Sequence, residues 1–154
     1  VRKPAEFRIK AKQTGVHVIA INTGGNGATL SVENQYFCLF ANGPGLLYAQ
    51  PRAYFFVPPD AEKISLNLKT SSPAETGSMT VYNSDGKEIG RGDTTKAERF
   101  ELNAEVAPPH RGKAWSVHLG DTPAGNVEDL ELVLGPGCGE FLATDPARLI
   151  VPTE

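Results

Sequence analysis

Several kinds of chemistry are missing from this chain of 154 residues. No apolar stretch approaches the roughly 20 residues of a membrane-spanning helix, so the sequence indicates no membrane partner. The formal net charge is only −3 and no basic stripe is present, which argues against nucleic acid as a partner. The Gly-x-Ser-x-Gly, His-Glu-x-x-His and phosphate-loop motifs are also absent. The sequence therefore predicts no catalytic centre and no cofactor.

Cysteine is scarce, with Cys38 and Cys138 the only two in the chain. If they were oxidised together they would close a loop of about 100 residues, which the chain-entropy model values at roughly 4 to 5 kcal/mol. Two small buried thiols account for the same residues equally well. The sequence leaves both alternatives open.

Glycine and proline are plentiful, with sixteen and twelve residues. Without a repeat period, this composition favours short strands joined by many turns. The length fits one domain with a sizeable core, and we expect a single module over residues 1–154 that is monomeric in isolation. Because the chain begins at Val1 without an initiator Met or signal peptide, we interpret it as a module excised from a larger protein or as a processed form.

The most informative stretch is Tyr54–Asp60, an aromatic strand that ends in a Pro-Pro-Asp turn. A strictly alternating strand follows, in which Ile64, Leu66 and Leu68 share one face. In later strands, apolar residues two positions apart also predict one core-facing side: Met79, Val81, Phe100, Leu102, Trp115, Val117, Leu119, Leu130, Leu132 and Leu134. Asn83–Gly86 reads as a turn with Gly86 at positive φ.

The two ends of the chain also carry strand patterns. Phe7, Ile9 and Ala11 alternate with basic residues, and Val16–Ile21 is apolar on both parities, as in the middle of a sheet. Gly24–Gly27 then predicts a hairpin turn before a strand over 28–32. Residues 149–151 are expected to supply a last short strand. The total is about nine to eleven short strands, so we predict an all-β fold, an antiparallel β-sandwich of jelly-roll type.

From about residue 50 onward the chain resembles a known class of module. The residues that carry the likeness are Tyr54–Asp60, Val81–Lys87, Trp115–Leu119, Asp129–Leu132 and Arg148–Pro152. They resemble β-sandwich accessory domains of secreted bacterial polysaccharide-degrading enzymes and, more loosely, pre-peptidase C-terminal domains. The resemblance implies a secreted or cell-surface, non-catalytic, carbohydrate-binding module. Its partners would be a polysaccharide or oligosaccharide and the neighbouring domains of the parent chain.

Glycan recognition needs aromatic rings that stack on sugars and polar groups that bind hydroxyls. Trp115 shares parity with the core, which leaves tyrosines as the stacking residues. The candidate ligand-binding residues are Tyr36, Asn42, Tyr48, Arg52 and Tyr54. The alternative is that the aromatics of residues 34–56 simply plug one end of the sandwich.

A structural Ca²⁺ is a further hypothesis, since hard cations bind carboxylate and carbonyl oxygens. Glu33 and Asp129 are the candidate ligands, although a charged strand edge explains them as well. Two other functions stay open. A purely structural module that packs against a catalytic domain would expose an apolar patch, and a small hydrolase or lyase would show turnover.

Overall fold

The computed structural model describes residues 6–22, 24, 29–33, 36–41, 50–70, 75–125, 127 and 129–151. The chain divides into two units. We call residues 1–33 the N-terminal unit and residues 34–154 the sandwich unit. The prediction of one module over 1–154 stays a prediction.

The sandwich unit is all-β and antiparallel. Its described residues form nine strands. These are β1 (Leu39–Phe40), β2 (Gln50–Val57), β3 (Lys63–Thr70), β4 (Ser78–Tyr82), β5 (Glu88–Asp93), β6 (Arg99–Glu105), β7 (Lys113–Gly120), β8 (Leu130–Leu134) and β9 (Phe141–Leu142). Two short 3-10 turns at Pro108–His110 and Pro146–Arg148 are the only helical elements in the described part.

The strands make three sheets. A four-stranded sheet has the order β2-β7-β4-β5, a three-stranded sheet the order β6-β3-β8, and β1 pairs with β9. The predicted all-β sandwich is confirmed, and the strand count falls within the expected range. The finer expectation of a jelly roll stays a prediction.

The core lies between the two large sheets because their strands alternate apolar and polar residues. Phe55 and Val57 of β2 are fully buried and so is Trp115 of β7, whose indole N–H donates to the carbonyl oxygen of His110 at 2.9 Å. The neighbouring Phe56 points to the other face and is half-buried. The core-facing residues predicted in β3, β4, β7 and β8 are all buried.

The edge strand β5 contributes glycines where its neighbours contribute large side chains. Gly90 pairs with Val81, and a Cβ atom there would lie 2.7 Å from Cδ1 of Leu102 in β6. The absence of a side chain therefore lets the edges of the two large sheets approach closely.

Several strands predicted from the sequence were wrong. The described residues of the N-terminal unit form no strand at 7–11, 16–21 or 29–32, and Val16, Val18, Ile19 and Ile21 are exposed. Of the predicted hairpin turn, residues 25–27 lie outside the described residues, and Gly24 has the positive φ of a turn residue. Residues 149–151 follow a 3-10 turn instead of forming a strand. In each case the alternation specifies which side chains share a face, but a strand also requires a partner edge, which the pattern does not supply.

No helix in the described part of the chain is both long and apolar enough to cross a membrane.

Candidate functional site

A concave surface lies on the outer face of the four-stranded sheet. We call it the outer groove; its volume is about 340 Å³. It is lined by Arg52, Tyr54, Asn83, Ser84, Gly86, Lys113, Ala114, Trp115, Ser116 and Pro146. A second cavity, behind β1 and β9, has only about 30 Å³ and is lined mainly by apolar side chains. Of these two, the outer groove is large enough for a sugar ring and the second cavity is not.

The groove exists because small residues of β7 lie between large residues of its neighbours. Ser116 pairs with Tyr54 of β2 on one side and with Tyr82 of β4 on the other. Ala114, two residues earlier on the same face, pairs with Phe56. Since strands lie about 4.8 Å apart, Tyr54 and Tyr82 are about 10 Å from each other, and the small side chains of Ala114 and Ser116 form the floor of the groove beside Tyr54.

Tyr54 is held in place from both sides. Besides its pairing with β7, its backbone N–H donates to the carbonyl oxygen of Ala143 at 2.7 Å, and the N–H of Ala143 donates back at 2.9 Å. The ring is half-buried and lies on the groove surface. A ring with a fixed backbone presents an apolar surface at little entropic cost to binding.

Arg52 reaches the groove through an irregularity in β2. Gln50 pairs with Leu119 and Ala53 with Val117, so β2 contains one extra residue at this point, a β-bulge. Bulges re-aim side chains, and Pro51, which lacks an N–H, is easily accommodated in one. The guanidinium carbon of Arg52 lies 4.6 Å from the centre of the Tyr82 ring, a cation–π contact.

The turn at Asn83–Gly86 forms another wall. Oδ1 of Asn83 accepts from the backbone N–H groups of Asp85 and Lys87, at 3.1 and 3.0 Å, and Gly86 has a φ of 77°. The predicted turn is confirmed. The side-chain amide of Asn83 donates to Nε2 of His110 at 3.1 Å. Nδ1 of the neutral imidazole therefore carries the proton and donates to Oγ of Ser84 at 2.9 Å.

This cluster contains the residue types of a hydrolase triad in a different geometry. In a triad the nucleophile and the carboxylate bond to opposite nitrogens of the imidazole. Here Ser84 and Asp85 both face Nδ1 of His110, the carboxylate at 3.9 Å, while Nε2 is occupied by Asn83. The hydroxyl of Ser84 is thus a hydrogen-bond acceptor from His110 and is not deprotonated by it. Its own O–H remains able to donate into the groove.

No family model, curated protein or solved structure matches this chain significantly. The residues of the outer groove therefore carry the functional argument.

The structure brings together two of the five predicted ligand-binding residues. Arg52 and Tyr54 both line the outer groove. Tyr36 is exposed and does not line it; its ring lies under the guanidinium of Arg148, at 5.1 Å from its centre. Arg148 belongs to the same 3-10 turn as the groove residue Pro146. Asn42 and Tyr48 lie outside the described residues.

The metal prediction is not tested by the structure. Glu33 is exposed in the N-terminal unit, and Asp129 is half-buried in the sandwich unit. Among the described residues no three His, Cys, Asp or Glu side chains form a group that could hold an ion. The calcium site at these two residues stays a prediction.

The cysteines have separate environments in the structure. Both are free: Sγ of Cys38 donates to the carbonyl oxygen of Arg148 at 3.0 Å, and Sγ of Cys138 to that of Ser65 at 3.7 Å. The structure thus has two part-buried thiols and no Cys38–Cys138 disulfide.

Sequence reasoning missed that Asn83, Ser84 and Ser116 shape the groove. They come from two different parts of the chain, the turn after β4 and strand β7. The signal for Ser116 was present, since it is a small residue at an outward position between Trp115 and Val117. Whether such a residue forms the floor of a groove depends on which strands flank β7, and strand order is not encoded locally.

Proposed function

We propose that the sandwich unit is a non-catalytic carbohydrate-binding module whose ligand lies in the outer groove. The observation that carries this proposal is the Tyr54 ring on a rigid sheet, beside an unpaired guanidinium and above a floor of small and hydroxyl-bearing side chains. A sugar ring offers the matching chemistry, with an apolar C–H face and hydroxyl groups at its edge.

In this proposal each part of the groove has one task. The ring of Tyr54 stacks on the C–H face of a sugar and removes its apolar area from water. The N–H groups of Arg52 donate to ring-edge oxygens, and the hydroxyls of Ser84 and Ser116 exchange hydrogen bonds with sugar hydroxyls. Because the backbone of the groove is held in sheet pairing, binding orders few groups in the protein.

We further propose that the module is attached to a secreted or cell-surface bacterial enzyme that acts on glycans. The resemblance of residues 50–154 to such accessory modules supports this part. A neighbouring catalytic domain would gain local concentration on its substrate from even weak binding by the module.

Isothermal titration calorimetry against a panel of polysaccharides and oligosaccharides tests the binding proposal. We expect heat with at least one glycan and none from a Ser116→Leu variant, because the larger side chain fills the floor between Tyr54 and Tyr82. An Asn103→Leu variant is the control, since Asn103 is exposed on the outer face of the other large sheet. A folded protein that gives no heat with any glycan contradicts the proposal.

A second candidate function is an interaction module without a glycan. It is favoured by an apolar patch on and next to β1, where Phe37, Leu39 and Phe40 are 36%, 41% and 50% exposed. Patches of this kind mark protein contacts. The binding of a hydrophobic dye and self-association of the isolated protein, both reduced by Phe40→Ser, would support this function. A monomer that binds no dye contradicts it.

A further inference from the structure

The charge of the outer groove differs from that of the unit that contains it. Residues 34–154 carry ten lysines and arginines against sixteen aspartates and glutamates, a formal net charge of −6. The groove lining contains two cations, Arg52 and Lys113, and no carboxylate. A positive groove in an acidic unit attracts anions locally while the rest of the surface repels them.

The Arg52 guanidinium is free to bind an anion. Among the described residues no carboxylate lies within ion-pair distance of it, and none accepts a hydrogen bond from it. The neighbour that it contacts is the Tyr82 ring, which is uncharged and whose centre lies 4.6 Å from the guanidinium carbon. The N–H groups of the guanidinium therefore have no anionic acceptor among the described residues. These N–H groups form a planar fork, which matches the two oxygens of a carboxylate.

Two carboxylates in the turns that border the groove, Asp85 and Asp145, face residues other than Arg52. Asp85 faces Nδ1 of His110 at 3.9 Å. Oδ1 of Asp145 accepts from the backbone N–H of Ala147 at 2.9 Å, and its other oxygen lies 3.8 Å from Nε of Arg148. Neither of these two acids contacts Arg52, so a bound anion would be its first charged partner.

The spacing of Arg52 and Tyr54 matches the layout of an acidic sugar. The two residues point to the same face of β2 two positions apart, a separation of about 7 Å along the strand. A uronic acid has a C–H face for stacking and a carboxylate at the edge of its ring. With the ring on Tyr54, that carboxylate lies towards the Arg52 guanidinium.

We propose that the outer groove selects acidic glycans, with the carboxylate of a uronate residue bound by the Arg52 guanidinium. This inference rests on the proposed function and narrows it to one class of ligand.

The matched ligands for the test are uronate oligosaccharides and their methyl esters, which keep the sugar backbone and lose the charge. Galacturonate, glucuronate and mixed mannuronate–guluronate oligosaccharides are titrated in both forms into the intact chain. Dextran and dextran sulfate are added as arms that separate a carboxylate ligand from a sulfate ligand. For one of the uronates we expect the acid to bind about tenfold or more tightly than its ester. This preference should weaken as salt is added.

Three variants test whether Arg52 causes any preference for the acid over its methyl ester. Arg52→Gln should remove the difference between acid and ester, and Arg52→Lys should retain part of it, because the charge stays and the fork is lost. Arg99→Gln is the control of equal charge change, since Arg99 lies on β6 in the other large sheet and is 58% exposed. It should bind as the unaltered chain does. Circular dichroism of each variant verifies that it is folded.

The outcomes separate the inference from the proposed function. Equal affinity for acid and ester overturns the inference and leaves carbohydrate binding intact. Tighter binding of dextran sulfate than of any uronate overturns the assignment to a carboxylate. An acid preference that survives in Arg52→Gln overturns the role of Arg52. If no glycan of either form binds to the folded chain, the proposed function itself fails.

Discussion

The two outer faces of the sandwich use their charges in opposite ways. On the three-stranded sheet, Lys63 pairs with Glu105 across β3 and β6 at 3.0 Å, and Lys69 pairs with Glu131 across β3 and β8 at 3.1 Å. On the four-stranded sheet, the Arg52 guanidinium lies over the Tyr82 ring and has no carboxylate partner among the described residues. The first face pairs its charges across strands, and the second has a guanidinium outside such a pair.

The difference is not a property of the whole four-stranded sheet. At its far edge Arg91 is bound by both carboxylate oxygens of Glu88, and the hydrogen bonds from Arg91 lower the pKa of that carboxyl. Arg91 thus has a carboxylate partner on its own strand. Arg52 has no such partner among the described residues, and its guanidinium lies over the Tyr82 ring. We therefore expect an anionic ligand to bind near Arg52 and not near Arg91.

The largest expected effect comes from removing the core that supports both faces. Phe55→Ala should lower the free energy of unfolding by about 3–5 kcal/mol, because it deletes a fully buried ring between the sheets. Phe56→Ala is the matched control, since its half-buried ring lies on the outer face, and it should cost about 1 kcal/mol or less. Urea denaturation measures both. Similar losses for the two variants would contradict the assignment of Phe55 to the core.

Thiol reactivity compares Cys138, which follows β8 of the three-stranded sheet, with Cys38, which precedes β1. Burial raises the pKa of the Cys138 thiol to about 12, while the Cys38 thiol donates to the backbone carbonyl oxygen of Arg148. Because the thiolate is the reactive form, we expect Cys138 in a Cys38→Ser variant to be alkylated about a hundredfold more slowly than Cys38 in Cys138→Ser. Mass spectrometry over time at pH 8 gives both rates. Equal rates would show that the region around Cys138 opens readily.

The next prediction compares the contributions of Tyr54 and Tyr36 to glycan binding, since both were predicted from the sequence to stack on a sugar. Tyr54→Ala should weaken glycan binding by about tenfold, the amount expected for loss of one stacking contact. Tyr36→Ala should change it little, because Tyr36 contacts Arg148 and does not line the outer groove. Calorimetric titration of both variants with the tightest-binding glycan measures the two losses of affinity. Equal losses would place the ligand across the 3-10 turn at 146–148 as well.

The smallest effect is expected on the face whose charges are paired. Lys69→Gln should reduce the free energy of unfolding by less than about 1 kcal/mol, since both side chains of the Lys69–Glu131 pair are about 40% exposed and solvent screens them. It should leave glycan binding unchanged, in contrast to Arg52→Gln. Urea denaturation and calorimetry test the two statements. A loss of binding in Lys69→Gln would show that the paired face also contacts ligand.

Much of the sandwich was predictable from local pattern. The alternation of Ile64, Leu66 and Leu68, and of Trp115, Val117 and Leu119, identified the buried faces of β3 and β7, because period two is a geometric property of a strand. The apolar run at 16–21 was wrongly predicted to be a strand, and the described residues provide no partner strand for it. Of the five candidate site residues, Arg52 and Tyr54 lie together in the outer groove, and their role in ligand binding stays a prediction.

The sequence by itself determined the fold class, the buried residues of the central strands and the turn at 83–86, since alternation and turn chemistry act over a few residues. Only the tertiary structure decided that β7 lies between β2 and β4. That order places Ser116 between Tyr54 and Tyr82 and brings Arg52 onto the Tyr82 ring. Strand order depends on pairings between distant segments, and no local pattern encodes which strands become neighbours.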